Sequence, residues 1–155
     1  MHKQDKIRGI LVEINSVLNE LLVNLFKDIN DIEEKAIQTE EFKGVTTNDM
    51  HVIEAIGINA AKNMSSVAKK LNVTMGTLTI SVNSLVKKGY VQRVRSEEDR
   101  RVVLVSLTKS GRRAFEHHKK FHESMISAIM AGLSEEEKTV LEKAINNLNL
   151  FFKNI

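Results

Sequence analysis

"TMGTLTISVNSLVKKGYVQRVRSEEDRRVVLVSLT", Thr74 to Thr108, changes its period partway along. Up to Lys88 the apolar residues Met75, Leu78, Val82 and Leu85 recur at helical spacing and predict one inward face, with Thr74 as N-cap and Gly89 as the stop. From Val91 the period falls to two, so that Val91 to Arg95 and Val102 to Leu107 read as paired strands. Between them stands a tip of charges: Glu97, Glu98, Asp99, Arg100 and Arg101. Arginines at a hairpin tip have no apolar surface to cover, so they point to a partner outside the chain.

Upstream, Ser65 can cap a short helix, "SSVAKKL", and "NVT" is the turn that leads to Thr74. Two helices joined by a tight turn and followed by a hairpin make the order of a winged helix-turn-helix, with the hairpin as the wing. Thr46 or Thr47 can cap a further helix, "NDMHVIEAI", that Gly57 ends, and "INAAKN" reads as a polar link. Before these, Ile7, Leu11, Ile14, Leu18, Leu21, Leu25 and Ile29 repeat at helical spacing, widened by Ile10, Val17, Leu22 and Phe26. After the wing a helix runs from about Lys109 to Met130. Ser134 and Glu137 then form a capping box for a last helix striped by Leu141, Ile145, Leu148, Phe152 and Ile155. The expected fold is mainly α with a small β-hairpin wing: one domain over 1–155, with a DNA-binding lobe at about 46–108. The helices at about 5–30 and 109–155 carry more apolar face than a small monomer covers, and predict a homodimer.

Composition narrows the function. The 155 residues include no cysteine, which excludes disulfides, thiolate metal sites and thiol redox sensing, and no proline, which lets helices run long. No apolar run approaches the ~20 residues that span a bilayer. The stretch "MHKQDKIRGI" has no signal-peptide pattern, so a cytoplasmic location without membrane attachment is expected. Charge is uneven: Lys62 to Ser96 holds seven cations and no acid, so the rest of this +3 chain carries −4. A basic middle between acidic flanks suits a polyanion.

The helix from Thr74 places Gly76, Thr77, Ile80, Asn83, Ser84 and Lys87 on the face opposite its apolar residues. In a major groove Ile80 would meet thymine methyls, while Thr, Ser and Asn hydrogen-bond base edges. Gly76 would let the helix start approach a phosphate closely. With no arginine on this face to chelate guanine, an A·T-leaning operator is expected. Narrow A·T-rich minor grooves attract arginine, which is the role the wing tip predicts for itself. Arg93, Arg95 and Arg100 are then phosphate contacts, and Ser65, Ser66, Lys69 and Thr74 are candidates for phosphate contact and capping.

The segment from Ser65 to Arg112 resembles the MarR family of bacterial transcriptional regulators. The resemblance rests on the helix-turn-helix, the glycine-aromatic step Gly89-Tyr90, the D-x-R of Asp99 and Arg101, and "SLTKSG"; the flanking helices extend it over nearly the whole chain. The resemblance implies that Arg101 is the side chain inserted in the groove and that Asp99 fixes its turn. Within the family, "VTMGTLTISVNSLVKKGYVQRVRSEEDRRVV" is most similar to the fatty-acid biosynthesis repressors. That likeness implies a dimer on a double-stranded operator of lipid-synthesis genes, with long-chain acyl-acyl carrier protein as corepressor.

Other functions are weaker on these residues. His118 and His122 stand at i, i+4, with His117 adjacent and His51 on an earlier helix. Such a pair can chelate zinc with a carboxylate such as Glu33, Glu34, Glu40 or Glu41, and the zinc-sensing branch of the same family has histidines at similar places. A zinc-responsive repressor built on His51, His118 and His122 is the alternative reading, beside a sensor of another small ligand. No nucleophile elbow, dinucleotide fingerprint, phosphate loop or H-E-x-x-H is present, so neither enzyme activity nor a cofactor is expected.

Overall fold

A computed structural model describes residues 3–154. Helix α1 (Lys3–Glu20) passes through a π turn (Leu21–Leu25) into α2 (Phe26–Ile37). The side chains of Ile7, Ile10, Leu11, Phe26 and Ile155, assigned above to apolar stripes, lie outside the described residues. Next come α3 (Thr47–Ile56), β1 (Lys62–Asn63), α4 (Met64–Leu71), α5 (Met75–Lys87), β2 (Val91–Arg95), β3 (Val103–Leu107), α6 (Lys109–Ala131) and α7 (Glu135–Lys153). The chain divides into two compact units, 1–115 and 116–155.

Local chemistry sets most of the boundaries. Thr46 and Asp49 close a reciprocal capping box on α3, each side chain accepting from the other's backbone N–H. Gly57 ends that helix at φ 71°. Thr74 caps α5 by accepting from Thr77 N at 3.1 Å, and Gly89 follows its end at φ 82°. In the second unit Ser134 and Glu137 form the same reciprocal box on α7.

Two expectations need correction here. The cap of α4 is Asn63, whose Oδ1 accepts from Ser66 N at 2.7 Å, and not Ser65. "INAAKN" is not all link: Lys62 and Asn63 pair antiparallel with Val105 and Leu104. Two residues are too few to show a period of two, so this strand was invisible to pattern. The wing is therefore a three-stranded sheet in the order β1-β3-β2, with Arg93 opposite Val105 and Arg95 opposite Val103.

The core of the first unit gathers Ile37, Phe42, Val45, Met50, Ile53, Ile56, Val67, Leu78, Val82, Leu85, Val91, Val105 and Ala114. Leu78, Val82 and Leu85 bury the inner face of α5, as their spacing requires. Met75 does not join them; it sits exposed in the first turn. An ion pair crosses this core's edge. Lys88 Nζ donates to Oδ2 of the buried Asp49 at 2.6 Å, tying the end of α5 to the start of α3. Replacing Lys88 with Met leaves that carboxylate buried without its cation. We expect a loss of about 2 kcal/mol in urea unfolding, less than for a fully buried pair because Lys88 is partly exposed.

Candidate nucleic-acid interface

The outer face of α5 is assembled as its periodicity predicts. Gly76, Thr77, Ile80, Asn83 and Lys87 are exposed and Ser84 half-buried, with Ile80 at 73% exposure. An isoleucine so bare in the middle of a well-packed helix is covered by nothing in its own unit. Several hydroxyls around it are already committed. Thr74 and Thr77 hydroxyls lie 2.9 Å apart, Thr79 Oγ1 donates back to Met75 O, and Ser81 Oγ donates to Thr77 O. At Gly76 a Cβ would meet only Thr74 Oγ1, at 3.8 Å, so packing within the protein does not demand a glycine there.

The wing tip is a built turn. Ser96 N donates to Val102 O and Val102 N to Asp99 O, while Glu98 N donates to Ser96 Oγ at 3.3 Å. Asp99 then organises the arginine: its Oδ1 accepts from Arg101 N at 2.9 Å and from Arg101 Nε at 3.1 Å, and its Oδ2 from Arg101 Nη2 at 3.1 Å. This fork leaves the Nη1 donors of a 91% exposed guanidinium outside the pair. The bonds from Arg101, side chain first and backbone second, hold the Asp99 carboxyl below its ordinary range. A carboxylate lowered in this way keeps its stabilisation at neutral pH and loses it only as acid passes the depressed value. Arg95 Nη1 donates to Arg100 O at 2.9 Å, bracing the tip from the strand side.

The seven cations are not equivalent. Lys88 is paired with Asp49, Lys62 Nζ donates to Ala55 O, and Lys70 Nζ donates to Glu54 O, both at 3.4 Å. These three serve the fold, the last two at the carbonyl end of α3 where cations are favoured. Lys69, Lys87, Arg93 and Arg95 remain as exposed charge around α4, α5 and the wing. Arg93 Nη2 donates to Asn83 Oδ1, a bond between wing and helix that joins two residues assigned separately above. Ser65 and Ser66 are exposed at the start of α4, Ser66 Oγ donating to Asn63 O at 2.9 Å.

Thr108 joins two elements that its place at the end of the wing does not announce. Its Oγ1 donates to Gly89 O at 2.6 Å and accepts from Gly111 N at 3.2 Å, so one hydroxyl joins the approach to β2 to the start of α6. A threonine three residues ahead of a helical N–H is the cap signature, and it was there to be read.

The histidines fall in both units. His51 is exposed on α3, its Nε2 4.0 Å from Glu33 Oε2. His118, buried, and His122 bring their Nε2 atoms to 3.0 Å on successive turns of α6, the rings edge to face. Two imidazole nitrogens so placed can share a proton or supply two ligands of a tetrahedral metal. Among the described residues no helix is long and apolar enough to cross a membrane.

Known proteins agree with this geometry. The family model described as "Transcriptional regulator SarA/Rot" matches residues 35–118, more than half of the chain. The HTH-type transcriptional regulator YdgJ of Bacillus subtilis is 30% identical over 117 residues, 73% of this chain and 71% of its own. FabT of Streptococcus pneumoniae, solved in complex with DNA, superposes with a TM-score of 0.81 at 42% identity, over 90% of this chain and 98% of FabT. A MarR family protein from Bacillus stearothermophilus shares the fold at a TM-score of 0.68 and 19% identity, covering 94% of this chain and 97% of that one. With its exposed outer face on α5 and its arginine-tipped wing, the chain belongs to the SarA/Rot family of transcriptional regulators and is a DNA-binding regulator of the MarR type.

Proposed function

We propose that the protein is a dimeric repressor of fatty-acid biosynthesis genes that holds an A·T-rich palindromic operator and answers to long-chain acyl-acyl carrier protein. The observation that carries the DNA-reading part is Ile80, 73% exposed amid Thr77, Asn83, Ser84 and Lys87 on a helix whose other face is core. In a major groove that side chain meets thymine methyls and its polar neighbours meet base edges. Gly76 keeps the helix start open to the backbone. Ser65, Ser66, Lys69, Thr74, Arg93, Arg95 and Arg100 serve the phosphates, and Arg101, aimed by Asp99, enters the minor groove. Exposed apolar residues on the first helix (Val12, Ile14, Val17, Leu18, Leu21) and on α7 (Val140, Ile145, Phe151, Phe152) support a second copy as partner. The lipid assignment is supported by the 42% identity to FabT and by the likeness of the α5–wing segment to the fatty-acid biosynthesis repressors.

Two substitutions separate the roles. Arg101→Ala is expected to weaken operator binding by ~1–3 kcal/mol with the fold unchanged. Lys69→Ala should weaken all sequences alike and reduce the salt slope by about one. A mobility-shift titration in which Arg101→Ala matches the parent would remove the wing from the interface.

The effector is tested at fixed salt. Long-chain acyl-acyl carrier protein should tighten the operator complex, by ~1–3 kcal/mol of coupling, and a shorter chain should act less, because each buried methylene contributes ~0.8 kcal/mol. The closeness of His118 and His122 favours a second reading, a zinc-responsive regulator. In that case a chelator abolishes tight binding, His118→Ala or His122→Ala reproduces its effect, and acyl chain length is irrelevant.

A further inference from the structure

Asn83 and Arg93 come from different elements, the outer face of α5 and the strand β2, yet they are bonded to each other. Both are exposed, so the bond is not a by-product of burial. A guanidinium has five donors and no acceptor, so the amide must turn its oxygen toward Arg93. The Nδ2 amino group then points away from that contact and offers donors alone. The second lone pair of Oδ1 lies beside a guanidinium, whose positive charge makes that oxygen a weaker acceptor for a further donor.

This matters because asparagine reads adenine with both ends of its amide: Oδ1 accepts from the N6 amino group while Nδ2 donates to N7. An amide whose oxygen is held by arginine lacks the first half of that pair. Its amino group suits edges that present acceptors, which are N7 and O6 of guanine, N7 of adenine and O4 of thymine. We propose that Arg93 is a positioning residue that sets the base preference of Asn83, turning it from an adenine reader into a donor-only reader of acceptor-bearing edges. Arg93 thereby acts on specificity through Asn83, in addition to any phosphate it meets. The inference rests on the DNA-reading role proposed for α5.

The test is selection of binding sites from a randomised duplex library with the intact protein, its Arg93→Met variant, and Asn83→Ala in both backgrounds. Asn83→Ala identifies the base pair that Asn83 reads, as the position whose preference it erases. At that position the parent should accept guanine, adenine and thymine alike, and Arg93→Met should raise the ratio of adenine to guanine about tenfold, one good bidentate contact's worth of discrimination. Arg93→Lys, which keeps the charge without the planar fork, should fall between them. If the parent already selects adenine alone there, or if Arg93→Met leaves the ratio unchanged while the palindrome is still enriched, the inference is overturned and the DNA reading stands. If the parent enriches no sequence at all, the reading of α5 fails and the inference falls with it.

Discussion

Gly111→Ala is expected to cost at least ~3 kcal/mol or to leave the chain unable to fold, because its side chain would land on backbone. A Cβ at this position stands 2.0 Å from the carbonyl oxygen of Tyr90, 3.1 Å from the carbon and 3.2 Å from Leu107 Cβ. Retreat is blocked, since Tyr90 O also accepts from Thr108 N at 3.0 Å, and the Thr108 hydroxyl holds Gly89 O beside it. The first turn of α6 is thus pressed against the root of β2, and only hydrogen fits between. Urea titration of the purified variant reads the effect. Gly132→Ala is the control: a Cβ there meets nothing within 4 Å, and its stability should stay within about 1 kcal/mol of the parent. A Gly111→Ala protein as stable as that control would mean that α6 does not lie against β2 as described.

A comparable loss, of binding rather than folding, is expected from Leu18→Glu combined with Leu21→Glu. Both leucines are about two-fifths exposed, with Ile14, Val17 and Leu22 equally bare around them. Charges here cost the monomer little, since these side chains are not core. A second copy that must bury them would have to desolvate two carboxylates. With α5 reading one half-site as proposed, only a dimer fixes two at the spacing of a helical turn. The double variant should sediment as a monomer and bind its operator about a thousandfold more weakly, toward the level of non-specific DNA. An intact protein that sediments as a stable monomer would overturn the assembly.

Sequence was most informative where the physics is local. The capping box Ser134–Glu137, the caps at Thr74 and at Thr46 (one of the two threonines open from sequence), and the inward triad Leu78, Val82 and Leu85 each depend on residues within one or two turns. Their spacing is their mechanism. Apart from the local caps at Asn63 and Thr108, the contacts that escaped join distant parts of the chain. Asp49 and Lys88 are 39 residues apart, and Thr108 reaches Gly89 across 19. Lys62, Lys70 and Lys88 counted as polyanion-binding charge until packing gave them carbonyls or a carboxylate to serve. The spacing of Arg93 and Asn83 marks each of them, but the bond between them depends on how the wing lies beside α5. The same is true of Met75, whose spacing placed it inward while its position in the first turn of α5 left it in water.

The π turn at Leu21–Leu25 changes the meaning of the apolar spacing in the first helix. A π turn accommodates one residue more than the α-helical winding, and each residue is worth about 100° of rotation. An apolar row counted at a constant period through this segment is therefore out of phase with itself. Residues after the turn, from Ile29 to Ile37, are offset by about 100° from the positions that a constant period counted from Val12 to Leu18 assigns them. Length then matters as much as composition. Removing Val23 or Asn24 would restore an even winding and turn the residues before the π turn about 100° relative to those after it. Every leucine would survive that deletion, but the faces they present would not stay in phase.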